Sequence, residues 1–263
     1  NDFFEEIATF RSARRIWAKI MKERFDVSNK KALMCRFHVQ TAGSTLTAQQ
    51  PENNIVRTSL QALAAVIGGA QSIHTNSKDE ALSLPSAQSA QTALRTQQII
   101  AHESGVPNSV DPLSGSFLIE ELTKKMEKKS FKLIDKIDAL GGAVNAIKSN
   151  FQEQEIAKTA YDFQKSLQSK ANIIVGINKY QNNDKIKEPD FEIDENSIES
   201  QLKRLESFKL KRNKEEVSLS LSNLESAANV NENLIPFIIN AIEKNATLGE
   251  VSDILRKVYG EHV

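Results

Sequence analysis

The sequence has a single cysteine, Cys35, among its 263 residues. One cysteine excludes a disulfide within the chain, and its place in the apolar stretch 32–39 predicts a small buried side chain. No apolar run approaches the roughly 20 residues that cross a bilayer, and the first ten residues lack the basic-then-apolar order of a signal peptide. We therefore expect a soluble, cytoplasmic protein with no membrane partner.

The chain also has no formal net charge, because it contains 34 lysine and arginine residues and 34 aspartate and glutamate residues. The chain therefore has no bulk positive field of the kind that attracts nucleic acid. Hydrophobic residues make up 40% of the chain, which is too many for a disordered protein and enough for one substantial core. The chain begins at Asn1 and enters an amphipathic segment at once, so we expect the beginning of the fold to be missing.

Periodic apolar residues predict the order of elements along the first two thirds of the chain. Helical spacing predicts a helix from residue 2 to about 25. Three strand, loop and helix units follow, with strands at 32–39, at 70–75 and opening at Val110, and with helices at 51–67, 85–104 and 117–140. Three such units in succession imply a parallel sheet.

The rest of the chain has a different character. A helical stretch at 152–170 leads to a strand-like segment at 172–180, and residues 181–196 form a polar linker. Residues 197–263 carry helical periodicity and predict two to four helices. Three βα units cannot close an eight-stranded barrel, which takes about 250 residues, so barrel material would need a complementary piece.

Ligands of parallel α/β folds meet the loops after the carboxyl ends of the strands, here 38–50, 71–80 and 111–116. These loops are rich in amides and hydroxyls, and few of their groups titrate near neutral pH. Such side chains suit a large polar ligand held by many weak bonds better than they suit a nucleophile beside a base. Small residues such as Gly43 would let a bulky ligand approach the backbone, although they also fit ordinary turns.

His38 and His74 end two successive predicted strands and could face the same cavity. As a metal pair they lack a third ligand unless Asp79 or Glu80 turns toward them, so we predict no metal site. A histidine hydrogen-bonded within a polar layer is the commoner case. Asp79 and Glu80 could begin a helix, or one of them could accept hydrogen bonds from ligand hydroxyls.

Several strings of the sequence resemble the methylmalonyl-CoA mutase large chain, in the family's order. They are RFHVQTAGSTLTAQQPENNIVRTSLQALAAVIGG, AQSIHTNSKDEALSLP and IIVGINKY, with FFEEIATFRSARRIWAKIMKERF before them and HESGVPNSVDPLSGSF in the middle. The resemblance covers about 1–180 closely and 181–263 loosely. It implies an α/β fold in which 1–180 is the C-terminal part of a (β/α)8 TIM-barrel substrate domain, with about three βα units. Residues 181–263 would be a helical linker that precedes a cobalamin-binding domain.

The same resemblance implies an isomerase of radical mechanism that interconverts methylmalonyl-CoA and succinyl-CoA with adenosylcobalamin. The chain has no D-x-H-x-x-G cobalamin motif, so the cofactor would be shared with a separate cobalamin-binding domain or subunit. Other expected partners are an amino-terminal barrel chain, the acyl-CoA substrate and a GTPase chaperone. The alternatives are a mutase of isobutyryl-CoA, 2-hydroxyisobutyryl-CoA or ethylmalonyl-CoA, and a non-catalytic assembly module. A metal-dependent hydrolase that uses His38 and His74 is a hypothesis from a different class.

The resemblance also assigns site residues. Those lining the adenosyl and corrin face would be Gln40, Gly43, Asn76 and Glu80, with Asn76 and Glu80 meeting ribose hydroxyls. Those facing the CoA arm or the acyl group would be His38, Gln71 and Ser72. The family's catalytic tyrosine, arginine and histidine lie upstream of this chain's first residue, so no catalytic residue is named and the chain alone should be inactive. Two positions depart from the family pattern, Ser44 replacing a frequent aromatic residue and Arg95 replacing an asparagine.

Overall fold

The computed structural model describes residues 2–182 and 194–261. These residues form ten α-helices and two short strands, and they divide into two compact units. The first unit contains both strands and α1 to α6, and the second contains α7 to α10. In chain order the elements are α1 (Phe3–Glu23), β1 (His38–Gln40), α2 (Asn53–Ile67), β2 (Ser72–His74), α3 (Ala87–Glu103), α4 (Phe117–Ala139), α5 (Ala143–Lys148), α6 (Phe151–Gln168), α7 (Glu195–Lys211), α8 (Lys214–Asn229), α9 (Ile235–Glu243) and α10 (Leu248–Tyr259).

Helix α1 confirms the first predicted element and supplies much of the first unit's core. It begins where the Asp2 carboxylate accepts hydrogen bonds from the first backbone N–H groups, which would otherwise be unpaired. Its buried Ile7 packs in one cluster with Ala64 of α2 and Ile119 of α4. This cluster is small for a unit of its length, so other contacts must hold the helices together.

A polar contact joins α1 to α4 and to the loop before it. The guanidinium of Arg11 donates to Thr123 at 2.9 Å and forms ion pairs with Asp111 at 3.0 Å and Glu120 at 2.7 Å. The Arg11 guanidinium holds the pKa of the Glu120 carboxyl below its usual range. Arg11 is largely buried, so these bonds fix where the two helices cross.

The two strands pair in parallel, with Val39 opposite Ile73 at the centre of the register. Each is followed by a loop and a helix, which confirms two of the predicted βα units. The strands are shorter than predicted, because residues 30–34 form a turn and the N–H of Phe37 donates to the side chain of Gln71. Cys35, predicted to be buried, is only half-buried.

Two predicted strands are wrong. Residues 110–116 form turns, in which Val110 is 97% exposed and Asp111 takes a left-handed φ of 48°. The segment 172–180 folds back on itself instead of extending: Gly176 has a φ of 84°, and its N–H donates to the Lys179 carbonyl at 2.8 Å. A single bridge between Val175 and Lys179 is all the β structure there.

The predicted helices of the first unit are confirmed as α2, α3, α4 and α6, whereas α5 was not predicted. The structure therefore holds two complete parallel βα units and a third helix without its strand, as expected for part of an α/β barrel. None of the described helices combines the length and the apolar content needed to cross a bilayer.

The described residues of the second unit form four helices, the upper end of the predicted number. Helices α8, α9 and α10 enclose an apolar core whose buried members include Val217, Leu224 and Val251. Arg212 forms an ion pair with Glu250, whose side chain also closes a capping box with Thr247 at the start of α10. The predicted linker at 181–196 falls largely outside the described residues.

Candidate functional site

The carboxyl ends of β1 and β2 lie side by side and bring the two following loops together. The pairing continues past the strands, since Thr41 N–H donates to the His74 carbonyl at 3.0 Å. The buried Thr41 hydroxyl then accepts the N–H of Asn76 at 2.9 Å. These bonds hold the start of one loop against the start of the other, as expected where parallel strands end.

Gln40 and Asn76, both predicted to face the ligand, contact each other directly. The Gln40 amide Nε2 donates to Asn76 Oδ1 at 3.1 Å, and this bond fixes which way the Asn76 amide faces. Asn76 is buried, and its Nδ2 has no hydrogen-bond partner among the described residues. A buried donor without a partner costs free energy, so this group is suited to receive an acceptor from a ligand.

Gly43 completes the cluster with Glu80. A Cβ atom placed on Gly43 would lie 2.9 Å from Asn76 Nδ2 and 3.0 Å from Glu80 Oε1. The backbone of Gly43 does not need a left-handed conformation, so the requirement for glycine here is one of space. Gln40, Gly43, Asn76 and Glu80 therefore meet at one place, where the Asn76 donor and the Glu80 acceptor lie against the Gly43 backbone. We call these four residues the Gly43 cradle.

His38 and Ser72 form a second contact on the same face of the sheet. His38 Nδ1 lies 2.8 Å from Ser72 Oγ, and both side chains are exposed. Since side chains alternate along a strand, His38 shares this face with Gln40, two residues further along β1. The exposed face of the sheet is therefore polar at both strands, while Val39 and Ile73 face the other way.

Gln71 was predicted to face the CoA arm or the acyl group, and its side chain is engaged with the backbone. Its Oε1 accepts the N–H of Phe37 at 2.8 Å, and its Nε2 donates to the Gly69 carbonyl at 2.8 Å. These bonds tie the amino end of β2 to the residue before β1. Gln71 thus lies at the opposite end of the sheet from the Gly43 cradle.

His74 pairs in register with Gln40. In the described part of the chain, no three His, Cys, Asp or Glu residues are grouped so that they could hold a metal ion. Asp79 and Glu80 do not begin a helix, because they lie in a turn and α3 starts only at residue 87. Glu80 is exposed, so its carboxylate is accessible at the edge of the cradle.

Three polar side chains lie on one face of α2, and sequence reasoning missed two of them, Asn54 and Gln61. Asn54, Arg57 and Gln61 each hydrogen-bond to the loops that carry the cradle. Burial lowers the pKa of the Arg57 guanidinium, which donates to the Val175 carbonyl at 2.8 Å. The available signal was the spacing of these three residues, three and four apart, which places them on one face of the helix.

A cavity of about 340 Å³ lies beside β1, between α1 and α2. Its lining is mostly apolar and includes Phe3, Phe10, Val39 and Leu60. On this side no strand of the described residues pairs with β1. The sheet therefore has a free edge next to an apolar hollow.

The chain is similar to known proteins over almost its whole length. The family model for methylmalonyl-CoA mutase matches residues 1–261. The chain is 41% identical to the 2-hydroxyisobutanoyl-CoA mutase large subunit of Aquincola tertiaricarbonis, over 99% of this chain and 47% of that protein. It is 40% identical to the mitochondrial methylmalonyl-CoA mutase of Homo sapiens and 38% identical to the methylmalonyl-CoA mutase of Rhizobium meliloti, over 99% of this chain and 35% and 37% of those proteins.

The chain thus spans between about a third and a half of the length of these relatives. Within that span the similarity is continuous, and it includes both strands, both following loops and the second unit. The residues that meet at the Gly43 cradle lie inside it. The chain belongs to the methylmalonyl-CoA mutase family.

Proposed function

We propose that this chain supplies the adenosyl-facing part of an adenosylcobalamin-dependent acyl-CoA mutase that interconverts methylmalonyl-CoA and succinyl-CoA. The observation that carries the proposal is the Gly43 cradle, where the unpaired Asn76 Nδ2 and the Glu80 carboxylate converge. A ribose hydroxyl both accepts and donates hydrogen bonds, so it can use one donor and one acceptor at the same place. Membership of the mutase family supports the choice of ligand.

The residues present fit such a cofactor. Gln40 would hold the Asn76 amide in place, Gly43 would leave room for the ligand, and Asn76 and Glu80 would bond it. The bound cofactor would supply the radical chemistry of the rearrangement. The neutral side chains around it suit that chemistry, because a radical site needs a shaped cavity with few reactive groups.

The acyl-CoA would lie along the polar face of the sheet. His38 and Ser72 are exposed there and contact each other, so the imidazole N–H or the hydroxyl can donate to a substrate carbonyl. Gln71 would act on this site only indirectly, because its amide is used on the backbone. A 2-hydroxyisobutyryl, isobutyryl or ethylmalonyl thioester is the alternative substrate, and the first of these is favoured by the name of one relative.

Other chains or domains would complete the enzyme. An amino-terminal barrel piece would pair with the free edge of β1 and cover the apolar hollow beside it. A cobalamin-binding domain or subunit would present the cofactor to the cradle, and a relative named as a large subunit supports a heteromer. In this arrangement residues 1–180 belong to the barrel and 181–263 lead to the cobalamin domain. We place the complex in the cytoplasm and keep a GTPase chaperone as a further partner.

The test is reconstitution of this chain with an amino-terminal barrel piece and a cobalamin-binding subunit, followed by an assay of methylmalonyl-CoA with adenosylcobalamin. Gly43→Ala is the sharpest variant, because alanine tolerates this backbone while its methyl group would displace Asn76 Nδ2 and the Glu80 side chain. We expect it to abolish adenosylcobalamin binding without loss of fold, and Asn76→Ala and Glu80→Gln to weaken binding. Glu155→Gln on the exposed side of α6 is the matched control for charge.

If Gly43→Ala turns over at the wild-type rate, the cradle is not the cofactor site. A complex that binds adenosylcobalamin but leaves methylmalonyl-CoA unchanged would keep the site and transfer the question to another acyl group. A complex that forms without binding any cobalamin would favour a non-catalytic assembly module.

A further inference from the structure

Helix α2 reaches both loops of the cradle through one fully buried side chain, Asn54. Its Oδ1 accepts the N–H of Thr47 at 3.1 Å and a guanidinium hydrogen of Arg57 at 2.7 Å. Its Nδ2 donates to the carbonyl of Thr47 at 2.8 Å and to the carbonyl of Lys78 at 2.9 Å. A carboxamide has two hydrogens to donate and two lone pairs to accept with, so all four positions of Asn54 are used.

A side chain with no bonding position left cannot also bond a ligand. Asn54 instead connects two backbone segments that come from different βα units. Thr47 follows the turn that carries Gly43, and Lys78 lies between Asn76 and Glu80 in the loop after β2. Because the first segment follows Gly43 and the second lies between Asn76 and Glu80, a change in their spacing would change the width of the Gly43 cradle. One amide therefore spans both sides of the site from behind.

We propose that Asn54 is a positioning residue that sets the width of the Gly43 cradle and thereby the affinity for the adenosyl group. This inference rests on the proposed function, because it concerns the same ligand. The physical reason is that backbone groups buried at the loop bases need partners. Removing the amide would leave three backbone groups without this hydrogen-bond partner: the N–H and carbonyl of Thr47 and the carbonyl of Lys78. The loop after β2 would then be released from α2.

Neighbouring contacts give this role a clear boundary. Gln61, on the same face of α2, accepts the N–H of Ala42 and donates to Thr45 Oγ1, both at 2.7 Å, so it holds only the first loop. Lys78 also pairs with Glu52, but Glu52 is mostly exposed, and such pairs contribute little. Asn54 is thus the buried side chain of α2 that reaches the second loop.

The decisive variant is Asn54→Asp, which has nearly the same shape but cannot donate. The aspartate can still accept from Thr47 and Arg57, while its other oxygen would face two carbonyl oxygens. The matched control is Asn53→Asp, the same change one residue earlier, where Asn53 Nδ2 donates to Gln50 at 2.9 Å. If Asn54→Asp does not fold, Asn54→Ser removes the reach to Lys78 without adding a charge.

The first measurement is backbone hydrogen exchange on the full chain. We expect faster exchange in residues 76–82 of Asn54→Asp, and unchanged exchange there in Asn53→Asp. The second is adenosylcobalamin binding and turnover by the reconstituted complex. We expect the Kd and the KM for adenosylcobalamin to rise at least about tenfold in Asn54→Asp, with the acyl-CoA KM unchanged because His38 and Ser72 are not held by Asn54. General loss of stability would raise neither constant selectively.

The outcomes separate the two proposals. If the wild-type complex binds adenosylcobalamin and Asn54→Asp binds it equally well, the positioning role is overturned and the proposed function stands. Equal exchange in residues 76–82 of wild type and Asn54→Asp overturns it as well. If the wild-type complex binds no adenosylcobalamin, the proposed function fails, and the positioning role for this ligand fails with it.

Discussion

The two compact units solve the problem of stability in different ways. In the second unit, α8, α9 and α10 enclose a shared apolar core, and a largely buried ion pair joins Arg212 before α8 to Glu250 in α10. In the first unit the buried apolar cluster is small, and Arg11 and other charged groups hold α1 against α4. The second unit closes its core with its own helices, whereas the first leaves a strand edge and an apolar hollow open.

This difference follows from the kind of element that each unit uses. A helix pairs its own backbone groups, so three amphipathic helices can bury a core by themselves. A strand leaves its backbone groups to be paired by a neighbour, so a two-stranded sheet has unpaired edges. The first unit therefore needs a complement at its sheet edge for a physical reason, whereas α8, α9 and α10 close their shared core without one.

The largest expected effect is in the closed core. Leu224 is fully buried between α8 and its neighbours, so Leu224→Ala should cost about 2–5 kcal/mol of unfolding free energy. Trp17, the only tryptophan, lies in α1, so its fluorescence follows the first unit while circular dichroism follows all helices. We expect the urea transition seen by circular dichroism to move and the Trp17 transition to stay.

The matched variant is Ile119→Ala in the small cluster of the first unit. It should move the Trp17 transition and leave the helices of the second unit unaffected. If Leu224→Ala and Ile119→Ala each shift both transitions equally, the two units unfold as one cooperative body, and the contrast between them is wrong.

The next effect concerns the charged groups of the second unit. Arg212 and Glu250 are 10% and 26% exposed at their side chains, and Arg212 Nη1 donates to Glu250 Oε2 at 2.6 Å. Arg212→Met should cost about 2–3 kcal/mol, below the usual cost of breaking a fully buried pair, because Glu250 retains some water. The double variant with Glu250→Gln should recover part of this loss, since no unpaired charge remains. If the change in unfolding free energy of the double variant equals the sum of the two single changes, the two side chains do not interact directly.

How far the sequence predicted these structures depends on whether the information was local. The helices α1 to α4 were predicted because apolar spacing and caps such as Asp2 act within a few residues. The strand at 32–39 was predicted too long, because apolar composition does not reveal how many neighbours pair with it. The strand predicted at Val110 was wrong because a distant contact decides the structure there. Asp111 has a left-handed φ, pairs with Arg11 of α1 and makes a turn.

The candidate site shows the same limit. The rule that parallel strands end at one edge predicted only that the two loops would meet. Gln40 and Asn76 themselves were assigned by family resemblance, and in the structure they contact each other. Gly43 and Glu80 were assigned by family resemblance, and the structure brings them to the same cluster. Asn54 was missed, because nothing in its own surroundings shows that it would reach Lys78, 24 residues further along the chain.

A pH dependence of the second unit sharpens the comparison further. The hydrogen bonds of Arg212 and Thr247 lower the pKa of the Glu250 carboxyl from 4.5 to about 2. Because the folded-state pKa is the lower one, this stabilisation is fully present above about pH 4.5 and is lost as the pH falls toward 2. Over that range we expect the second unit to lose about 1–2 kcal/mol through this group, because water screens part of the interaction. In urea unfolding at several pH values, the unfolding free energy of Glu250→Gln should not show this fall with pH. An identical pH dependence in wild type and Glu250→Gln would contradict the assignment.

The smallest expected effect on the isolated chain tests the open side of the first unit. Leu60 of α2 lines the hollow beside β1 and is 55% exposed, so Leu60→Ser should change the stability of this chain by less than about 0.5 kcal/mol. Leu219→Ser at an exposed position of α8 is the matched control, with the same expectation. The two variants should differ only in how tightly they bind an added amino-terminal barrel piece. Leu60→Ser should then weaken association roughly tenfold in a titration, because its side chain would be covered on binding, and Leu219→Ser should bind as wild type does. Equal affinities for all three would mean that the hollow is not where the complement docks, and that a free strand edge does not by itself mark the missing side of the fold.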